Sequence, residues 1–302
     1  IRTAYFLLNT STTMKFNDEC RACLYNSQLK KVAKAKDGDG YELFKQGVKQ
    51  LCDNPPEDYC APLLARDINL LHRDIFGGII DYSAEKSLFN RRLLSLEPEL
   101  YALITSAPDP LAEALKYATA ANYIDFARLS DLSGDSIETV MSAARRASVD
   151  CAGLSSFKRR LAGAGALCVL HDNCGEIVLD KILIRVILAC YPKISVTSVV
   201  RGKPVINDVT LTDAEEVGLG GFARVIPNGT DVPGTYLKEI SKETLDAMRG
   251  ADVLLSKGLG NLETLYGEGF NAFYAFTCKC AHIAEQFGVP LWSAAFIEEK
   301  AV

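Results

Sequence analysis

The run Ala166-Leu-Cys-Val-Leu170, then the polar loop His171-Asp172-Asn173-Cys174-Gly175, then EIVLDKILIRVILAC from Glu176 to Cys190, decides the fold of this chain. A short apolar run bounded by polar residues reads as a strand covered on both faces. The segment after Gly175 carries apolar residues at helical spacing and reads as a helix. Strand, polar loop and helix make one half of a parallel βαβ unit. The same order repeats downstream. Residues 195–200 (SVTSVV) are β-branched and strand-like, and residues 223–226 and 252–256 supply two further strands. Residues 245–248 fall in a helix that ends at Gly250. Residues 271–287 read as a long helix closing at Gly288, with a last strand at 289–294. The pattern argues for an α/β class with a parallel sheet covered by helices.

Upstream of Gly163-Ala164-Gly165 the pattern is helical throughout. Apolar residues recur at three-to-four spacing over 17–35, 41–52, 62–76, 83–95, 110–121 and 137–147. Pro62 suits a first helical turn, and Asp109 stands as an N-cap before Pro110. The expected organisation is a leader or cloning-derived segment at 1–13 with Met14 as the natural start, a helical domain at 14–162, and an α/β domain at 163–302. A chain of 302 residues has room for both.

Composition excludes several classes. Lys plus Arg total 33 against 38 Asp plus Glu, so the net charge is −5, the wrong sign for a nucleic-acid binder. No apolar run approaches the roughly 20 residues of a membrane span, and no basic leader precedes an apolar core, so the cytoplasm is the expected compartment. There the ten cysteines are expected to be reduced. Cys168 and Cys190 lie in apolar stretches and read as small core residues. Cys20-Arg21-Ala22-Cys23 has the spacing of a soft-metal or redox pair, but no second CxxC exists, and Cys52 and Cys60 would have to complete a tetrathiolate. The favoured reading is two reduced thiols one helical turn apart.

In an open parallel sheet, ligands bind beyond the carboxyl ends of the strands. The polar loops fall there: Asp172-Asn173-Cys174-Gly175-Glu176, Arg201-Gly202-Lys203-Pro204 with Asn207-Asp208, Asn228-Gly229-Thr230-Asp231, and Lys257-Gly258-Leu259-Gly260-Asn261. Asp172, Asn173 and Asp208 offer hard oxygen ligands suited to Mg²⁺ or Mn²⁺. Lys257 among glycines resembles a phosphate grip, and the helix start near Gly175 favours an anion. Blander readings compete: Asp-Asn before a helix is a common cap, Asn207-Asp208 a common turn, and KGLGN lacks Walker or GxGxxG spacing. His171 reads as a packed or capping neighbour, and Phe273, Tyr274 and Phe276 as core.

Three segments in order, Asp172-Asn173-x-Gly175-Glu176-Ile177-Val178-x-Asp180, Gly202-x-Pro204-x-Ile206-Asn207-Asp208-x-Thr210 and Ser256-Lys257-Gly258-x-Gly260-Asn261-x-Glu263, resemble the metal-dependent damage-control phosphatase family, formerly known only as a domain of unknown function. The likeness is closest to its short prokaryotic branch with an N-terminal CxxC. It extends to Asp81-Tyr82 with Lys86 and Asn90, and to Asn122-x-x-Asp125-Phe126, covering the chain from about Cys20 to Trp292. His171, Cys174, Ala121 and Gly77-Gly78-Ile79-Ile80 depart from the family's usual residues. The resemblance implies a helical domain on an α/β/α sandwich whose mainly parallel sheet is Rossmann-like. It implies one divalent metal ion (Mn²⁺, Co²⁺, Ni²⁺ or Mg²⁺) on Asp172, Asn173 and Asp208. It assigns phosphate binding to Lys257, with Gly258, Gly260, Asn261, Gly175, Glu176, Lys86 and Asn90 around it, and brings Asn122 and Asp125 to the same cleft.

The expected function is metal-dependent hydrolysis of a small phosphorylated metabolite, a sugar phosphate or a damaged phosphometabolite, by activated water that Asp125 or another cleft carboxylate orients. The expected partner is that metabolite, with neither nucleic acid nor membrane, and both monomer and homodimer stay open. Two other classes compete. A nucleotide- or S-adenosylmethionine-binding α/β protein would show that affinity without a metal, and the missing GxGxxG weighs against it. A non-catalytic thiol or metal-binding protein would be built around Cys20 and Cys23.

Overall fold

The computed structural model describes residues 14, 16–31, 38–121, 142, 144–147 and 149–300. Its helical half contains α1 (Asp18–Lys31), α2 (Asp39–Asp53), α3 (Ala61–Phe76), α4 (Ser83–Thr105), α5 (Pro110–Ala120) and α6 (Cys151–Gly163). There follow β1 (Ala166–Leu170), α7 (Glu176–Cys190), β2 (Ser195–Val200), α8 (Leu211–Glu216), β3 (Arg224–Pro227), α9 (Lys242–Arg249), β4 (Val253–Lys257), α10 (Leu259–Leu265), β5 (Ala272–Thr277), α11 (Ala281–Phe287) and β6 (Ala294–Glu299). Caps set several of these ends. The Asp109 carboxylate accepts from the Ala112 N–H at 3.2 Å, and Asp150 accepts from the Gly153 N–H at 2.6 Å, each satisfying a donor at a helix start.

The strands form one sheet in the order β3-β2-β1-β4-β5-β6. Strands β1 to β5 run parallel, and β6 pairs antiparallel with β5 from Ala272↔Glu299 to Thr277↔Ala294. The chain leaves β1 in one direction along the sheet and returns on its other side at β4. That reversal opens a crevice at the carboxyl ends of these two strands.

Alternate strand residues serve opposite layers. Leu167 and Val169 join a core with Leu115 of α5, Phe157 of α6 and Ile182 of α7. Cys168 and Leu170 join another with Met248 of α9, Leu262 and Leu265 of α10 and Ile283 of α11. Helix α5 therefore helps to cover the sheet, and α4 packs on α7. Helices α1 to α3 gather around Phe44, Val48, Cys52, Leu64 and Ile68, and α3 reaches α10.

Several expectations need correction. Residues 271–287 are not one helix: β5 and the short α11 occupy that stretch, and Phe273, Tyr274 and Phe276 are core residues of a strand. The last strand is β6, beyond the expected 289–294. A strand buried on both faces has no period-two pattern, so AFYAFT, with Ala272 and Ala275 among its aromatic residues, mimics a helix. Helix α4 runs on to Thr105 through Pro98, well past 95. Cys190 is exposed at the end of α7. Helices α6 and α10 had no counterpart of their own in the sequence reading, and 137–147 lies mostly outside the described residues, as do 1–13.

The cap of α5 is directly testable. The Asp109 carboxylate also pairs with Lys158. Asp109→Ala should cost about 1 kcal/mol or somewhat more in urea unfolding, whereas Asp109→Asn, which keeps a capping oxygen, should cost clearly less. Equal losses would assign the effect to the ion pair.

Candidate active site

Backbone hydrogen bonds stitch the loop after β1 to the loop after β2. The Cys174 N–H donates to the Asn207 carbonyl at 2.9 Å, the Val209 N–H to the Asp172 carbonyl at 2.9 Å, and the Arg201 N–H to the Val209 carbonyl at 2.8 Å. Asn173 and Asp208 form an antiparallel bridge. Asp172, Asn173 and Asp208, far apart in sequence, thus come from one backbone assembly. The loop after β4 closes on it from the other side of the crevice. Gly258 has φ +81°, and a Cβ there would lie 2.0 Å from Asp172 Oδ2, so only glycine allows this approach.

Two cations lie beneath. Arg201 and Lys257 are each 1% exposed. Arg201 Nε donates to Asp208 Oδ2 at 2.6 Å and its Nη1 to Asn261 Oδ1 at 3.1 Å, while Nη2 lies 3.6 Å from Asp172 Oδ1. Lys257 Nζ donates to Asp180 Oδ1 and to the Ala118 carbonyl, both at 2.7 Å, and stands 3.8 Å from Glu176 Oε2. His171 Nδ1 is 2.9 Å from Asp180 Oδ2, so the sequence reading of His171 as a packed neighbour fits its place. Asn173 Nδ2 donates to Asp172 Oδ2 at 2.7 Å and to Glu176 Oε1 at 2.8 Å, which leaves its amide oxygen for another partner.

The charges do not balance. Asp172, Glu176, Asp180 and Asp208 are buried around Arg201 and Lys257, with the partly buried Glu263 close by. Burial raises the carboxyls of Asp172, Glu176 and Asp208 above the ordinary range, and the pull of Arg201 or Lys257 only partly offsets it. Burial, helped by Asp172, pushes Glu263 up to about 7. Burial would raise Asp180 too, but Lys257 and His171 outweigh it and hold that carboxyl low. Burial would lower Lys257, but Asp180 and Glu176 hold it above its ordinary value. A divalent cation among these oxygens would supply the missing positive charge, so the donor set fits one. In the arrangement described, Arg201 bridges Asp172 and Asp208, and among the described residues no group of three or more His, Cys, Asp or Glu side chains is placed to hold a metal ion.

Other expected site residues hold the scaffold together. Asn261 is fully buried, with Nδ2 on the carbonyls of His171 and Lys257 and Oδ1 accepting from Arg201 and Thr235. Asn90 Oδ1 accepts the Gly175 N–H at 2.7 Å, which uses up that donor, and its Nδ2 reaches Glu216. Gly175 (φ +81°) admits Phe89 so closely that a Cβ would lie 2.1 Å from its ring. Lys86 is paired with Asp213 at 2.6 Å. Gly260 packs against the Pro233 carbonyl. Asn122 and Asp125 lie outside the described residues. Two residues without an assigned role in the sequence reading, Asp180 and Arg201, stand at the centre. The i,i+4 spacing of Glu176 and Asp180, which puts both on one helix face, was the available signal for the first.

Beside the Asp208 turn lies a cavity of about 250 Å³, lined on one side by Val205 and Ile206 and on the other by α3 and the start of α4. Ile206 has φ +46°, a costly conformation for a β-branched residue, of order 1–3 kcal/mol. The CxxC pair lies on α1, with Cys20 partly buried and Cys23 exposed. Cys60 and Cys280 raise the number of thiols near them, since Cys20 interacts electrostatically with Cys280 and Cys60 with Cys20. Cys52 belongs instead to the core of α1 to α3. All described cysteines are free thiols.

The Lys257–Asp180 pair generates a stability test. Asp180→Asn leaves a buried ammonium short of its main counter-charge and should cost about 3–5 kcal/mol in urea unfolding. The double variant Asp180→Asn with Lys257→Met should recover much of that loss, because the uncompensated charge is then gone. A double variant no more stable than the single one would show that the pair is not what Asp180 contributes.

The Damage-control phosphatase ARMT1-like domain model matches residues 16–294. A damage-control phosphatase of Pyrococcus horikoshii is 32% identical over 286 residues, covering 92% of this chain and 96% of the relative. One from Archaeoglobus fulgidus is 26% identical over 285 residues, covering 91% and 96%. The crystal structure of a DUF89 family protein from Pyrococcus horikoshii superimposes with a TM-score of 0.81 at 26% identity, over 95% of this chain and 100% of that one. With the strands β1 to β5, the crevice and the three motif segments inside the matched region, the chain belongs to the ARMT1-like damage-control phosphatase family.

Proposed function

We propose that the protein hydrolyses the phosphate monoester of a small metabolite with the help of one divalent cation, Mn²⁺, Co²⁺, Ni²⁺ or Mg²⁺. The observation that carries this reading is the excess of buried carboxylates over Arg201 and Lys257 at the β1–β4 crevice, in a chain of a phosphatase family. Asp172, Asn173 and Asp208 would hold the cation. When bound, such a cation supplies Lewis acidity toward a phosphoryl oxygen and lowers the pKa of a water.

The chain's own residues have separate parts. Lys257, fixed by Asp180 and Ala118, keeps one N–H and a full charge for a phosphoryl oxygen. Asp180 keeps that ammonium in place and charged. Glu176, raised by burial, can hold a proton beside it at neutral pH, which lessens repulsion of the anionic substrate. Arg201 keeps Asp172 and Asp208 together. Asp125 or another cleft carboxylate remains our candidate for orienting the attacking water, and Asn122 our candidate for a part in the same reaction.

The deciding experiment combines kinetics on 4-nitrophenyl phosphate with calorimetric Mn²⁺ titration. EDTA treatment should abolish hydrolysis, and Mn²⁺ should restore it. Asp208→Asn should weaken Mn²⁺ binding by more than about 100-fold and lower turnover with it. Equal rates for EDTA-treated and Mn²⁺-loaded protein would sink the proposal. The competing thiol-centred reading meets its own test in Cys20→Ser with Cys23→Ser. Under reducing conditions this double variant should retain Mn²⁺-dependent hydrolysis within about twofold, and a folded but inactive double variant would move the chemistry to the thiols.

A further inference from the structure

We infer that Arg201 decides which cations the site accepts. By occupying one oxygen of Asp208, it limits that carboxylate to single-oxygen binding, which suits small six-coordinate cations and disfavours Ca²⁺. The inference rests on the reading of Asp172, Asn173 and Asp208 as the cation's ligands, and adds the residue that sets their selectivity.

The two oxygens of Asp208 are unequal. Arg201 Nε donates to Oδ2 at 2.6 Å, whereas Oδ1 has no partner among the described residues. A hydrogen bond from a guanidinium to a buried carboxylate is strong, because both groups are charged and water does not compete. Asp208 is only 4% exposed and Arg201 1%. Oδ2 therefore stays with Arg201, and Oδ1 is the oxygen left for a cation.

Arg201 is held from several directions. Its backbone N–H donates to the Val209 carbonyl at 2.8 Å, next to Asp208 itself. Nη1 donates to Asn261 Oδ1 at 3.1 Å, and that oxygen also accepts from Thr235 Oγ1 at 2.8 Å. Asn261 is fixed in turn, since its Nδ2 reaches the carbonyls of His171 and Lys257 at 3.1 and 2.7 Å. A guanidinium is planar, so holding Nη1 also sets the direction in which Nε points.

The other two donors are restricted in the same way. Asp172 Oδ2 accepts from Asn173 Nδ2 at 2.7 Å. Asn173 has one oxygen to offer, because its amide nitrogen is used on Asp172 and Glu176. Three side chains thus present one oxygen each, with water for the rest of the shell. Mg²⁺ and Mn²⁺ accept such a six-ligand shell, whereas Ca²⁺ takes about six to eight oxygens and gains from carboxylates that bind through both.

The test is calorimetric titration of the EDTA-treated, dialysed protein with MnCl₂ and with CaCl₂, without substrate. The readout is the ratio of the two dissociation constants. In the parent, Ca²⁺ should bind at least about 100-fold more weakly than Mn²⁺. Arg201→Gln removes the charge but places an amide nitrogen the same number of bonds from the backbone as Nε, so the hold on Oδ2 survives. It should tighten both cations and leave the ratio within about threefold of the parent. Arg201→Met removes the donor as well, and should lower the ratio about tenfold or more through gained Ca²⁺ affinity. Thermal melting confirms that each variant is folded. Infrared difference spectra of the parent on adding MnCl₂ need no variant: single-oxygen binding widens the separation of the two carboxylate stretches, and two-oxygen binding narrows it. Widening is the expected result, and narrowing overturns the inference. A parent that binds Ca²⁺ within about tenfold of Mn²⁺ overturns it too, as does a folded Arg201→Met that keeps the parent's ratio. Should Arg201→Gln shift the ratio as far as Arg201→Met, charge and not the held oxygen sets the selectivity, and the inference fails. Each of these results leaves Mn²⁺-dependent hydrolysis standing. A parent that binds no Mn²⁺ overturns the metal-dependent reading and this inference together.

Discussion

The contact on which the crevice depends is the buried pair of Lys257 with Asp180. Lys257 ends β4 and Asp180 lies one turn inside α7, so their 2.7 Å hydrogen bond ties the two strands of the reversal through a helix. Taking either charge out of water is expensive, and the pair is tolerable because a further hydrogen bond supports each partner. The Ala118 carbonyl serves Lys257, and His171 serves Asp180. Ala118 belongs to α5, so the same ammonium also anchors the helical half to the sheet.

Around that pair, the protein concentrates carboxylates in a place where water cannot solvate them. Arg201 is the second brace, reaching Asp208, Asp172 and Asn261 from one guanidinium. The planar fork suits this better than an ammonium, because its donors point in fixed, separate directions. What neither cation achieves is neutrality, and the raised carboxyls of Asp208 and Glu176 express the shortfall. A site organised in this way costs stability.

Helix α4 shows how the helical half shapes the crevice without supplying charges to spare. Lys86, Ser87 and Asn90 lie along one face and engage Asp213, Glu216 and the N–H of Gly175. Phe89 fills the space that a side chain at Gly175 would need. The start of α7 is therefore held by packing and by a directed hydrogen bond together. Lys86 and Asn90, which the family resemblance places around the phosphate, are also the residues that make this interlock.

The sequence by itself determined a good deal. The first strand, its polar loop and the helix after it were legible because a both-face-buried strand and a long apolar helix differ in length and in their flanking residues. The strand-end loops holding Asp172, Asn173, Asp208 and Lys257 were legible because strand order fixes which edge such loops share. Only the tertiary structure decided the rest. AFYAFT became a strand because β4 on one side and β6 on the other supply its hydrogen bonds, which local periodicity cannot reveal. Asp180 and Arg201 became central because burial turns an ordinary charge into a constraint, and burial belongs to the packed molecule. Asn261 became a brace for the same reason: its four partners come from separate segments that meet only when the sheet is complete.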